Sequence, residues 1–154
     1  MATISWKSPV DGDFSDAADW STGTVPGTDD VAQIEAVGTY TVTSSANENI
    51  QSLNLEQSAT LDLTGGTFGI GRPNISETEL TVGATASILI GDGATMQLEA
   101  SSSKGEIVAL DGSINIAAGG VLSLSNSFVH LNGTGTITLA GTASEILINS
   151  FVSN

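Results

Sequence analysis

The chain has no cysteine, one histidine and only three lysines and arginines in 154 residues. Without cysteine there is neither a disulfide framework nor a thiolate metal centre, and a single histidine cannot build a histidine-cluster site within one chain. Three basic residues against 17 acidic ones leave a formal net charge of −14. Such a field repels phosphate backbones and anionic lipid, so nucleic acid and membrane insertion are excluded from the expected partners. No apolar run approaches the roughly 20 residues of a membrane-spanning helix. The opening residues Met1 to Ser5 carry no basic or apolar segment of a signal peptide. Aromatic residues are few, and both tryptophans, Phe14 and two of the three prolines fall within the first 26 positions.

What the chain does have is one short phrase, used repeatedly from Leu53 to Ile148. Two apolar residues flank a single residue, and a polar or glycine turn follows, as in Leu61-Asp62-Leu63, Ile88-Leu89-Ile90, Ile114-Asn115-Ile116 and Ile137-Thr138-Leu139. Period-two alternation marks a strand with one buried face. The phrases fall into threes, and Leu61, Ile88, Ile114 and Ile137 recur after 27, 26 and 23 residues. A repeat of that length with no helical spacing predicts an all-β fold: a right-handed parallel β-helix with three strands per coil and four to five coils. A β-sandwich also has short strands and frequent turns, but it does not explain the column register. The outward columns are expected to read Asn54-Thr81-Ala109-His130, Asp62-Leu89-Asn115-Thr138 and Gly69-Gln97-Ser123-Leu147.

Residues 1–30 are expected to form an N-terminal aromatic cap on the β-helix of residues 31–154, because a solenoid end must be covered by an atypical segment and large rings cover it with few residues. Subtracting one coil places Ile34 and Ala36 beneath Leu61 and Leu63, and Tyr40 and Val42 beneath Phe68 and Ile70, as an incomplete coil. Trp6 and Trp20 would then cover that coil, with Thr39, Thr41 and Thr43 outside.

Trp6, Gly12-Asp13-Phe14, Ala18-Asp19-Trp20, Val25-Pro26-Gly27 and Thr39-Tyr40-Thr41-Val42-Thr43 resemble the opening of large bacterial β-strand-repeat proteins. These are adhesin-like surface or secreted chains. The likeness covers about residues 1 to 65, and Asp19 stands where that family usually has Asn. It implies a non-catalytic structural or adhesive role, located outside the cell or on its surface, and carries no catalytic residue onto this chain.

Four aspartates, Asp11, Asp13, Asp16 and Asp19, have the oxygen density that Ca²⁺ takes, which makes them the candidate metal ligands and Ca²⁺ the one candidate cofactor. They lack an EF-hand pattern, and aspartates also favour turns. The two longest loops, 71–79 and 99–107, leave the same corner, so Arg72, Asn74, Glu77, Lys104 and Glu106 are the candidate ligand-contact residues, with glycans as candidate partners. A triad of His130, Asp111 and Ser123 has no nucleophile elbow to support it. The chain is therefore expected not to be an enzyme. A carbohydrate-binding or polysaccharide-cleaving β-helix is the alternative. Self-association through solenoid ends, or continuation in a longer chain, follows from the unpaired edges that a solenoid terminus presents.

Overall fold

A computed structural model of the chain describes residues 1–71, 79–99, 106–125 and 129–149. Two short strands open it, β1 (Thr3–Ser5) and β2 (Gly12–Asp13), followed by a single 3-10 turn, Ala17–Asp19. Five coils of three strands come next. The first is β3 (Val31–Ile34), β4 (Thr39–Ser44) and β5 (Glu48–Ile50), and the second is β6 (Ser52–Leu55), β7 (Ser58–Leu63) and β8 (Gly66–Ile70). The third is β9 (Glu79–Val82), β10 (Ser87–Ile90) and β11 (Ala94–Glu99), and the fourth is β12 (Glu106–Leu110), β13 (Ser113–Ala117) and β14 (Val121–Ser125). The last is β15 (Val129–Asn132), β16 (Thr136–Ala140) and β17 (Glu145–Asn149).

Each strand pairs in parallel with its equivalent one coil away, giving three parallel sheets. Sheet 1 runs β1-β3-β6-β9-β12-β15, sheet 2 runs β2-β4-β7-β10-β13-β16, and sheet 3 runs β5-β8-β11-β14-β17. The architecture is therefore a β-solenoid of five coils, as the repeat predicts.

Register stacks like on like. In sheet 2, Val42, Leu61, Ile88, Ile114 and Ile137 form one inward ladder. In sheet 3, Phe68, Met96, Leu122 and Ile146 form another. The apolar members are essentially buried through the fourth coil. Each such side chain contributes roughly 1.5 to 3 kcal/mol by leaving water. The intervening residues face out, and the two predicted ladders of sheets 2 and 3, Asp62-Leu89-Asn115-Thr138 and Gly69-Gln97-Ser123-Leu147, stand as expected.

Three register expectations are corrected. The coil that begins at Val31 is complete, and its members sit one column earlier than subtraction places them. Ile34 pairs with Leu55, and Val42 with Leu61, while Ile50 supplies the third column against Ile70. In sheet 1 the outward ladder ends Ala109-Asn132, not Ala109-His130, because His130 is registered with Ile107. Leu139, expected in the core, is 47% exposed, since among the described residues no strand pairs with the outer edge of β16.

The N-terminal segment adds rungs as well as a cover. β1 pairs with β3 and β2 with β4, so residues 1–30 extend two of the sheets. The end of β1, at Ser5, is then covered by an antiparallel return. Ser21 N–H donates to Ser5 O (2.8 Å) and Lys7 N–H to Asp19 O (2.9 Å), around a Trp6–Trp20 bridge. Trp6, Phe14 and Trp20 are buried, with Trp20 edge-on to Trp6 at 5.0 Å and to Phe14 at 4.9 Å. Phe14 in turn stands edge-on to Phe68 of the second coil, also at 5.0 Å. Both indoles are satisfied, Trp20 Nε1–H by the Phe14 carbonyl (2.7 Å) and Trp6 Nε1–H by the Val10 carbonyl (3.2 Å). Thr39, Thr41 and Thr43 alternate with buried Tyr40 and Val42, as predicted.

Candidate functional site

The four aspartates proposed for Ca²⁺ are used locally. Asp11 Oδ1 accepts from Thr41 N–H (2.7 Å), which ties the cap to β4. Asp13 Oδ1 accepts from the Ser15 N–H and hydroxyl. Asp16 Oδ1 caps the 3-10 turn at Ala18 N–H (2.9 Å). Asp19 lies with its carboxylate against Gly12, at the place a β-carbon would occupy. These are the side-chain-to-backbone bonds by which aspartate shapes turns. Among the described residues, no group of three or more His, Asp or Glu side chains is arranged to hold a metal ion.

Of the loop residues singled out as ligand contacts, Arg72, Asn74, Glu77 and Lys104 lie outside the described residues. Glu106 opens β12, registered with Val129. The imagined triad does not converge: His130 belongs to sheet 1 and Ser123 to sheet 3. Asp111 is engaged with Thr134, accepting from its N–H (3.0 Å) and its hydroxyl (3.2 Å).

Among the described residues, concave surface lies elsewhere on the wall. A polar depression of about 400 Å³ opens on sheet 1, lined by Glu35, Asn54, Glu56, Gln57 and Thr81. A second, of about 260 Å³, shares Asn54 and reaches Gln33, Gln51 and Ser52. Asn54 and Thr81 are neighbours in the outward ladder of sheet 1, beside Gln33. The two glutamates come from the corner after that sheet. Glu35 follows Ile34 and Glu56 follows Leu55, and because Ile34 and Leu55 are paired, the glutamates occupy the same corner on adjacent coils. Glu56 N–H donates to Ile34 O (3.0 Å), which holds that register.

Local geometry keeps the corner open. In the next coil the corner position is Gly83, where an added β-carbon would come 2.7 Å from Glu56 Oε2. Gln57 takes a left-handed backbone at φ 60°, unusual for a residue with a side chain. Its carbonyl accepts from the Thr85 hydroxyl of the coil beyond. Close by, the Tyr40 hydroxyl accepts from Ala36 N–H (3.0 Å). Burial pushes the Tyr40 phenol above its ordinary value, with a smaller push from the Glu35 carboxylate, while the bond to Ala36 works against both.

The depression thus offers two carboxylates, two side-chain amides and one hydroxyl, that of Thr81. These groups accept and donate hydrogen bonds to an uncharged, hydroxyl-bearing ligand, and they disfavour an anionic one. Sequence reasoning missed the pair, although its signal is visible as a glutamate directly after each of the phrases ending in Ile34 and Leu55. The second titratable feature is Glu48, at the inward position of the first coil beneath Phe68. Burial, and then the Asp13 carboxylate, push its carboxyl above the usual range.

No family model matches the chain, and none of the curated proteins or solved structures compared with it matches either.

Proposed function

We propose that this chain is a non-catalytic structural or adhesive module of a bacterial extracellular or cell-surface protein. The observation that carries the reading is the N-terminal lock. The segment that resembles surface repeat proteins is the one that buries Trp6, Phe14 and Trp20 and covers the end of β1, so it acts as a cap on the first coil. Parallel stacking with apolar ladders makes each coil a template for the next, which suits a spacer or stalk. Labelling of intact cells of the producing bacterium with an antibody to this chain tests the location. Signal on unbroken cells is expected. Signal only after lysis overturns the surface reading.

A second reading is favoured by Glu35 and Glu56 on adjacent coils within the sheet 1 depression. Paired carboxylates beside amides suit binding, or cleavage, of a neutral glycan. An oligosaccharide array with the wild-type chain and with the doubly substituted Glu35→Gln/Glu56→Gln chain separates the two. Binding lost in the variant supports the wall site, and absence of binding in both supports the structural role.

A further inference from the structure

Polar side chains on a solenoid wall ordinarily stand in water, but two on sheet 1 do not. Gln51 is 4% exposed and Ser52 8%. Gln51 is the single-residue corner between β5 and β6, held by its N–H on Asp30 O (3.0 Å). Ser52 opens β6, two places before Asn54 on the same outward face, with Val31 beside it on β3. Among the described residues neither side chain has a hydrogen-bond partner, although buried polar groups are nearly always satisfied. The unpartnered side-chain atom that is fully sealed there is Ser44 Oγ, so the polar atoms of Gln51 and Ser52 keep an opening. That opening is the depression of about 260 Å³, which both residues line.

This depression differs from its neighbour in charge. Its polar residues are Thr3, Gln33, Gln51, Ser52 and Asn54, all amides and hydroxyls, whereas Glu35 and Glu56 stand in the other. Asn54 lines both and joins them into one groove. The Ser5 hydroxyl donates to Gln33 Oε1 (3.0 Å), which turns the Gln33 NH₂ to donate elsewhere. A side-chain amide holds a donor and an acceptor side by side, and that pair matches two adjacent hydroxyls on a ligand. Among the described residues no aromatic ring lines either depression, so recognition rests on hydrogen bonds. A peptide strand is a poor fit, because the main chain of β6 is already paired with β3 and β9.

The size of the floor calls for a chain and not a single ring. From Gln33 through Asn54 to Thr81 are two strand spacings, and from Ser52 to Leu55 three residue rises, each roughly 10 Å. We infer that Gln33, Gln51, Ser52 and Asn54 form a second, uncharged subsite, occupied by a neutral oligosaccharide whose chain continues over Glu35 and Glu56. The inference rests on the glycan reading above for the class of ligand, and it adds where the chain runs and which buried groups it satisfies.

Nuclear magnetic resonance of the ¹⁵N-labelled chain tests this without a substitution, because the side-chain NH₂ groups of Gln33, Gln51 and Asn54 report on the groove directly. The probes are cello-, xylo- and malto-oligosaccharides, with an oligogalacturonate as the anionic and a chitosan oligomer as the cationic comparison. A neutral oligomer is expected to shift the Gln51 and Asn54 NH₂ signals saturably, and to do so at lower concentration as the oligomer lengthens. Ser52→Ala should weaken that affinity by roughly two- to tenfold, the loss of one neutral hydrogen bond, while Thr138→Ala on the outer face of sheet 2 should not change it. Gln51 and Asn54 signals that no neutral oligomer moves, or that only a charged probe moves, overturn the proposal and leave these groups to water. Affinity lost in Glu35→Gln/Glu56→Gln but intact in Ser52→Ala, with Gln51 unmoved, removes the second subsite alone. Saturable shifts at Gln51 that persist unchanged in Glu35→Gln/Glu56→Gln support the subsite and remove the glutamate reading alone.

Discussion

Phe14→Ala is the sharpest test of how the first coils are held. Phe14 is fully buried, and its ring joins Trp20 of the cap to Phe68 of the second coil through two edge-to-face contacts at 4.9 and 5.0 Å. Truncating a buried phenylalanine costs about 3 to 5 kcal/mol. Within that, each ring pair accounts for about 0.5 to 1.5 kcal/mol beyond its buried area. The carbonyl of Phe14 still accepts the Trp20 indole in the variant, so the loss reads the ring and not that hydrogen bond. The two tryptophans are both in the cap and both buried, which makes their fluorescence a local probe. Far-ultraviolet circular dichroism reads all five coils. Because coils touch only their neighbours, the loss should be larger by fluorescence than by dichroism in a denaturant titration. Phe14→Leu should recover most of the buried area but not the ring geometry, and so fall between. A fluorescence midpoint moved by less than about 0.5 kcal/mol in Phe14→Ala would refute the view that this ring locks cap to coil.

Other outcomes follow from single residues. Glu48→Gln should raise the melting temperature at pH 7 and not at pH 3: a carboxyl held more tightly protonated in the folded state stabilises the fold below its ordinary range and loses that contribution as pH rises through its raised value. Ser44 is buried with its hydroxyl unpartnered, so Ser44→Ala should stabilise by about 1 kcal/mol in a denaturant titration. Gly93→Ala meets no neighbour and should cost only the left-handed backbone term of about 1 to 2 kcal/mol. Gly112→Ala drives a methyl into the Gly83 and Ala86 carbonyls of the coil beneath, and should cost more by the same measurement.

The class of fold was legible because strand alternation is a local property. In or out is decided residue by residue, and every apolar pair named in Leu61-Asp62-Leu63 or Ile88-Leu89-Ile90 lies inward as its pattern requires. Register between coils is different, since it depends on corner length. From the second coil to the third, Leu61 to Ile88 is a step of 27 residues, with 71–78 lying between β8 and β9. From the first to the second, Val42 to Leu61 is a step of only 19, because the corresponding corner is the single residue Gln51. Subtracting a constant coil therefore overshoots by one column, which is how Ile34 was placed beneath Leu61 and not beneath Leu55. The same cause moved His130, as Ala109 to Asn132 is a step of 23.

That dependence on corners also decides where chemistry on this wall can be read from sequence. Outward strand positions are separated by fixed ladder spacing, and the three predicted columns hold no paired carboxylates. Corner residues fall outside the alternation, yet they stack whenever the strand before them is in register. Ile34 and Leu55 are paired, so the residues that follow them must come together, and both are glutamate. In the next two coils the residues after Val82 and Leu110 are Gly83 and Asp111. The glycine gives the Glu56 carboxylate room, while Asp111 is taken up by Thr134 of the last coil. One corner column thus supplies an open pair of acids at one end and a structural clasp at the other, although the four residues share a single position in the repeat. If Glu35 and Glu56 serve a ligand, Gly83→Ala should weaken binding by crowding Glu56 without removing a polar group, whereas Asp111→Asn should leave binding unchanged and loosen the last coil. Oligosaccharide titration and amide exchange of residues 129–149 measure the two effects separately, and a ligand affinity that ignores Gly83→Ala would dissociate this corner from recognition.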